Sequence, residues 1–300
     1  MPSLRHQLFA VAVPVVKRAR ELEDEPSERV RVAHWHAGLN RSLPTAVVPR
    51  FSRHFAVRTE ELGGFPAYVI TPRHVEPVRT LFYVHGGAFM APIDPFHVRY
   101  ATRLATALKA RVVLPDYPLA PEFTWRDSHD QLADTAARWA AEPGGIVLAG
   151  DSAGGGLALA LALALRDRGG AQPTHLVLHA PWVDLTTSTP ETRAFAARDP
   201  WLHLGKLTAY ADWWAGSPED LARPEVSPGL ADLNGLPPGL MFYGTRDLLA
   251  PGCRLLARRA AASNWDLASV EEPDLIHVYG LFPGVPEARR AFDRTVEFVS

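Results

Sequence analysis

The stretch Ile146-Val147-Leu148-Ala149-Gly150-Asp151-Ser152-Ala153-Gly154-Gly155 decides the architecture. Four apolar residues in an unbroken run, with no polar alternation, suit a short strand buried on both faces. The chain then passes through Gly150-Asp151-Ser152 directly into Ala153 to Arg168, a run rich in alanine and leucine that reads as a helix. A strand that becomes a helix within two or three residues must turn sharply. The turn strains the backbone of the residue at its apex and lifts that side chain above the sheet. Ser152 occupies the apex, and the glycines at 150 and 154 leave room for the neighbouring strand and helix. Taken alone, Gly150-Asp151-Ser152-Ala153-Gly154 also suits a serine that N-caps a helix after a glycine-rich turn. The flanking sequence has to separate the two readings.

Working outward, short apolar runs alternate with helical stretches. Before the central turn come Leu81–Val84, a helix with its apolar face from Tyr100 to Lys109, the run Val112–Leu114, and a helix from about Ser128 to Ala141. After it come Leu176–Leu178, Leu240–Tyr243, Leu267–Glu271 and a closing helix from about Glu287 to Val299. This order predicts an α/β fold, with a central, mostly parallel sheet flanked by helices. Residues 54–60 and 65–71 read as two further strands joined by a turn at Gly63-Gly64. Residues 1–50 lack strand-like alternation and predict one or two helices. The segment from about Leu185 to Val226 is too long for an ordinary strand-to-helix loop and carries Trp201, Trp213 and Trp214. The expected organisation is therefore a core of residues 51–184 and 227–300, with a small helical cap built from 1–50 and the insertion 185–226.

Bulk properties narrow the function classes. With 300 residues and 47% hydrophobic content, the chain is long enough to bury a full core. A net charge of -2 gives no global field for nucleic acid or an anionic membrane, so neither is an expected partner. The one cysteine, Cys253, rules out an internal disulfide framework and is compatible with a reducing compartment. The run Leu8–Val16 after Arg5 is the one stretch like an export signal. Pro14 interrupts it, Lys17, Arg18 and Arg20 follow it, and it is too short to span a bilayer. An amphipathic helix packed on the protein, and a cytoplasmic location, are the expectations.

Chemistry gathers around Ser152. His85-Gly86-Gly87-Ala88-Phe89 follows the strand Leu81–Val84, and glycines there let backbone N–H groups approach a substrate oxygen. The expected oxyanion donors are the amides of Gly86, Gly87 and Ala88, with Ala153 after the serine. On a strand-turn-helix site of this type the partners follow in the order serine, acid, histidine. His277 sits beyond the last strand and is the expected base; His203 lies in the Trp-rich insertion and is the weaker choice. Asp247, just past Leu240–Tyr243, is the expected acid, and the next carboxylate in that region is Asp266. His85 is read as a structural hydrogen-bonding residue. Phe89, Trp182, Trp201, Trp213 and Trp214 are candidate walls of a substrate pocket, with plain core packing as the alternative for each. His34 and His36 read as surface histidines. With no H-E-x-x-H and no cysteine cluster, no metal site is expected.

Four segments together resemble the hormone-sensitive-lipase-like branch of α/β-hydrolases, the bacterial family IV esterases: His85 to Phe89, Asp116-Tyr117-Pro118-Leu119-Ala120-Pro121-Glu122, Gly150 to Gly155, and the Asp247 and His277 loops. The resemblance implies an α/β-hydrolase fold and a serine carboxylesterase for short- to medium-chain acyl esters, needing no cofactor and capped by helices. It also implies a possible homodimer through an edge strand, and bracing roles for Asp116 and Glu122. An amide hydrolase or lactonase on the same three residues, or a non-catalytic receptor on the same fold, are the alternatives. Ala88 stands where the family usually has a third glycine, and Pro118 where it commonly has arginine.

Overall fold

The computed structural model describes residues 1–300. Eight strands form one sheet: β1 (Phe55–Glu61), β2 (Pro66–Pro72), β3 (Arg79–Val84), β4 (Ala110–Pro115), β5 (Ile146–Asp151), β6 (His175–His179), β7 (Gly239–Arg246) and β8 (Leu267–Ile276). Their order across the sheet is β1-β2-β4-β3-β5-β6-β7-β8, and only β2 runs against the others. Every residue of β5 is buried, as are all but the first of β3 and β6 and all but Arg111 of β4. These are the strands written as continuous apolar runs, because helices cover both faces.

The helices are α1 (Leu4–Val16), α2 (Glu25–Ala37), α3 (Phe51–His54), α4 (Pro95–Ala107), α5 (His129–Ala140), α6 (Ser152–Arg168), α7 (Thr192–Ala196), α8 (Leu204–Ala215), α9 (Ala250–Ala262) and α10 (Pro286–Val299). Helix α4 starts five residues before the expected Tyr100. Asp94 caps it, accepting from the amides of Phe96 and His97 while His97 accepts from the amide of Asp94, and Pro95 opens the first turn.

The chain steps from β3 outward to β4 and then back across β3 to β5, so the connections change direction there. In such sheets a crevice opens at the carboxyl ends of the strands beside the reversal. The loops after β3 and β5 meet in it, and those after β7 and β8 close on it. The pairing of the last two strands is what brings acid and base together. Arg246 pairs with Ile276, so the next residues on the two strands, Asp247 and His277, emerge side by side.

Helix α1 corrects one expectation. It packs through His6, Ala10 and Val13, but Leu4, Leu8, Val11 and Val15 lie on the opposite face and are 70–78% exposed. The helix is apolar on both sides rather than amphipathic, which the nine-residue run, lacking any polar break, already contained. No helix in the structure is long and apolar enough to cross a membrane.

Candidate active site

Ser152 is the last step of the strand-to-helix turn and has a left-handed backbone, φ +52°. A side chain on Gly154 would run into the carbonyls of Val84 and His85, and one on Gly150 into that of Gly154. Only glycine lets β3, the turn and α6 approach this closely. The three residues expected to act together do meet. The Ser152 hydroxyl lies 2.8 Å from His277 Nε2, and His277 Nδ1 lies 2.9 Å from Asp247 Oδ2. With the ring in the tautomer that donates from Nδ1 to the carboxylate, Nε2 is free to accept the serine proton. Asp247 is fully buried, and its other oxygen accepts from the Leu249 amide at 2.8 Å. Burial disfavours a charged His277, but the charge and hydrogen bond of Asp247 outweigh it and raise the pKa above the ordinary 6.5.

The amides of Gly87 and Ala88 donate to no group of the protein, and that of Ala153 is in the unpartnered first turn of α6. The Gly86 amide is the exception to the expected set: it donates to Asp151 Oδ1 at 3.2 Å, so it is already engaged. Tyr83 donates to the same oxygen at 2.7 Å, and His97 lies 3.4 Å from the other. The residue before the serine thus ties the turn to the facing loop. Ala88 has φ +53° and Phe89 φ +60°, both left-handed without being glycine. The alanine therefore occupies a glycine conformation.

His85 is fully buried and stacks on Tyr117 with centroids 4.3 Å apart, and burial lowers its pKa to about 3. It is a neutral structural residue. The loop it begins is braced from several sides: Tyr117 donates to the His85 carbonyl (2.8 Å) and Ala120 to that of Phe89 (2.9 Å). Arg41, from the N-terminal segment, holds both carboxylate oxygens of buried Asp116 at 2.6 and 3.0 Å. His36 is not the surface histidine expected; it bridges Glu122 and the Met90 carbonyl, each at 2.7 Å. Its partner lies 54 residues away in sequence, beyond any local pattern.

Of the five aromatic residues expected as pocket walls, Trp201 alone lines the cavity above Ser152, with its ring 5.4 Å from that of His277. Phe89 stacks on Trp214 at 4.3 Å and on Trp182 at 5.7 Å, and all three are buried in the core. Trp213 donates to Glu25 at 2.6 Å and joins α8 to α2. Large apolar rings in a long insertion need burial first, and for Trp214 the loop residues Phe89 and Tyr117 supply it. The cavity, about 880 Å³, is walled instead by Trp35, Met90, Leu207, Tyr210, Leu281 and Phe282 among others. These come from α2, the oxyanion loop, α8 and the segment after β8, with no shared sequence signal.

One functional candidate escaped the sequence reading. Asp199 is buried in the insertion and accepts from the amides of Trp201 (2.8 Å), Leu202 (3.0 Å) and Leu248 (2.7 Å). It thereby links the residue on His277 to the loop carrying Asp247. Burial, and then the charge of Asp247, raise its pKa to about 6.

A sheet with this reversal, a strained serine at its turn and a histidine and aspartate behind it define a hydrolase of the α/β class. Comparison with known proteins agrees. Residues 81–281 match a family model described as the alpha/beta hydrolase fold. An acetyl-hydrolase of Streptomyces hygroscopicus is 34% identical, covering 77% of this chain and 82% of its own. The carboxylesterase NlhH of Mycobacterium tuberculosis is 30% identical, covering 78% and 77%. A crystal structure of an esterase from the bacterial hormone-sensitive lipase family superposes with a TM-score of 0.81 at 27% identity, covering 100% of this chain and 98% of that one. The chain belongs to the α/β-hydrolase family, in the hormone-sensitive-lipase-like branch of carboxylic ester hydrolases.

Proposed function

We propose that the protein is a serine carboxylesterase that hydrolyses short- to medium-chain acyl esters through an acyl-enzyme on Ser152. The supporting observation is the pair of contacts from Ser152 to His277 and from His277 to Asp247, at 2.8 and 2.9 Å, facing two unengaged loop amides. His277 Nε2 takes the hydroxyl proton as Ser152 Oγ attacks the ester carbonyl, and Asp247 stabilises the imidazolium. The carbonyl oxygen, now negative, accepts from the amides of Gly87, Ala88 and Ala153. His277 then passes its proton to the leaving alcohol. In the second half it removes a proton from water, which attacks the acyl carbon and returns Ser152 to its free form. Residues 1–50 and 185–226 act as the cap: they contribute Trp35, Trp201, Leu207 and Tyr210 to the apolar cavity that would hold the chain.

Hydrolysis of p-nitrophenyl butyrate tests the reading. Ser152→Ala should lower kcat by about 10⁴-fold or more. A folded Ser152→Ala protein that kept full activity would refute the serine mechanism outright.

A further inference from the structure

The cavity above Ser152 carries a charge that the chain as a whole does not. Five cationic side chains line it, Lys17, Arg18, Arg20, Arg31 and Lys206, in a chain of net charge -2. Two carboxylates answer them directly. Asp94 meets Lys17 at 2.8 Å, and Glu28 is shared between Arg31 at 2.6 Å and Lys206 at 3.3 Å. Glu28 also accepts from Tyr210, and the hydrogen bonds from Arg31 hold its pKa down to about 2. One carboxylate cannot neutralise two cations, and the Lys206 side chain is only 13% exposed. Asp151, which also lines the cavity, faces His97.

Arg18 and Arg20 have no carboxylate partner within the protein. Their backbone is nonetheless fixed, since the amides of Arg18 and Ala19 close the end of α1 onto Val15 and Pro14. The nearby acids are mostly committed elsewhere: Glu21 to His203, Asp24 to the start of α2, and Glu25 to Trp213 and Arg29. Glu23 is the one that pairs with no side chain. The same cavity is lined by apolar side chains as well, among them Val13, Trp35, Leu207 and Phe282. Low-dielectric walls focus the field of such a cluster into the cleft. A neutral ester gives the exposed Arg18 and Arg20 no partner and does nothing to offset the charge on the largely buried Lys206. An ester with a negative group beyond an apolar stretch would pair with them.

We propose that this site prefers anionic esters, in which an acyl chain or alcohol ends in a carboxylate or similar anion. The inference rests on the esterase reading above and names its substrate class. The test compares p-nitrophenyl octanoate with the mono-p-nitrophenyl ester of suberic acid, which has the same eight carbons and a terminal carboxylate. The half-ester should have the higher kcat/KM at low ionic strength, by about tenfold, and lose that advantage in high salt as the cations are screened. Arg18→Gln combined with Arg20→Gln should lower the half-ester-to-octanoate ratio by about tenfold. Lys206→Met, which leaves Glu28 its Arg31 partner, should lower it as well. A half-ester turned over more slowly than octanoate at low salt overturns the proposal while leaving the esterase reading intact. So does a ratio that neither salt nor any of these variants moves. If neither ester is hydrolysed, both readings fall.

Discussion

The two halves of the site are built on different principles. The reacting half is made of loops at the ends of β3, β5, β7 and β8, where strand pairing and glycine contacts dictate each position. The cap half is made of the N-terminal segment and the insertion that carries α8, and its polar ties to the core join residues far apart in the chain: Arg41 to Asp116, His36 to Met90, Asp199 to Leu248. Backbone geometry is hard to vary without loss of the fold, whereas single side-chain ties can be exchanged. The comparison implies that changes in the first half alter the chemical step, and changes in the second alter stability and substrate fit.

The largest effect should come from Asp247→Asn, which keeps the shape of the buried acid loop but removes the charge opposite His277. The imidazole then loses its correct tautomer and the stabilisation of its protonated form, and kcat should fall by about 10⁴-fold with little change in KM. A loss confined to KM would show that the division between the halves is wrong. On the cap side, Arg41→Met leaves Asp116 buried with no cation. The expected cost is about 2 kcal/mol of unfolding free energy, seen as a lower midpoint in urea, with kcat reduced far less than in Asp247→Asn. A kcat loss as deep as that of the acid variant would mean that the cap reaches into the chemistry.

Asp199 stands on the seam, and its effect should be smaller and of a different kind. Its charge is among the influences that raise the His277 pKa. Burial and the charge of Asp247 hold the Asp199 carboxyl above the usual carboxylate range, and it acts on His277 wherever it is ionised. Esterase activity requires neutral His277, so kcat/KM rises with pH through that pKa. Asp199→Asn removes the charge, lowers the His277 pKa, and moves the rising limb of kcat/KM toward lower pH. A limb that stays in place, or moves up, would remove Asp199 from any electrostatic part in the site.

The same division explains what could be read from sequence. Ser152, Asp247, His277 and the loop at Gly87 are each tied to the end of a strand, so finding the apolar runs found the residues. The start of α4 was missed because its apolar face begins late, while its capping signal, Asp94-Pro95 with His97, precedes it. For the ties of the cap only the core side was read: the resemblance implied bracing roles for Asp116 and Glu122, but not their partners Arg41 and His36. Arg41 and Asp116 are 75 residues apart, and nothing local marks either as the other's partner. The tryptophans misled for a related reason: Trp214 and Trp201 lie in one insertion, yet one packs on Phe89 in the core and the other on His277. Pattern reveals that a ring must be buried, and only the fold decides where.

Ala88 belongs to the reacting half but breaks its rule, since a side chain sits where the backbone suits glycine. An alanine held at φ +53° costs roughly 1–2 kcal/mol, and the greater freedom of an unfolded glycine returns about 0.5–1 kcal/mol of that difference. Ala88→Gly should therefore stabilise the fold slightly, by about 0.5 kcal/mol, read as a small rise in the urea midpoint. Ala88 also lines the cavity. Removal of its methyl group widens the space next to Ser152, and kcat/KM for a longer p-nitrophenyl ester should gain relative to the acetate. If the variant is less stable than the parent, the loop is not strained at this position, and the alanine contributes packing that outweighs its backbone cost. If it is more stable but the chain-length profile does not move, the methyl faces away from the acyl chain, and selectivity there belongs to the cap.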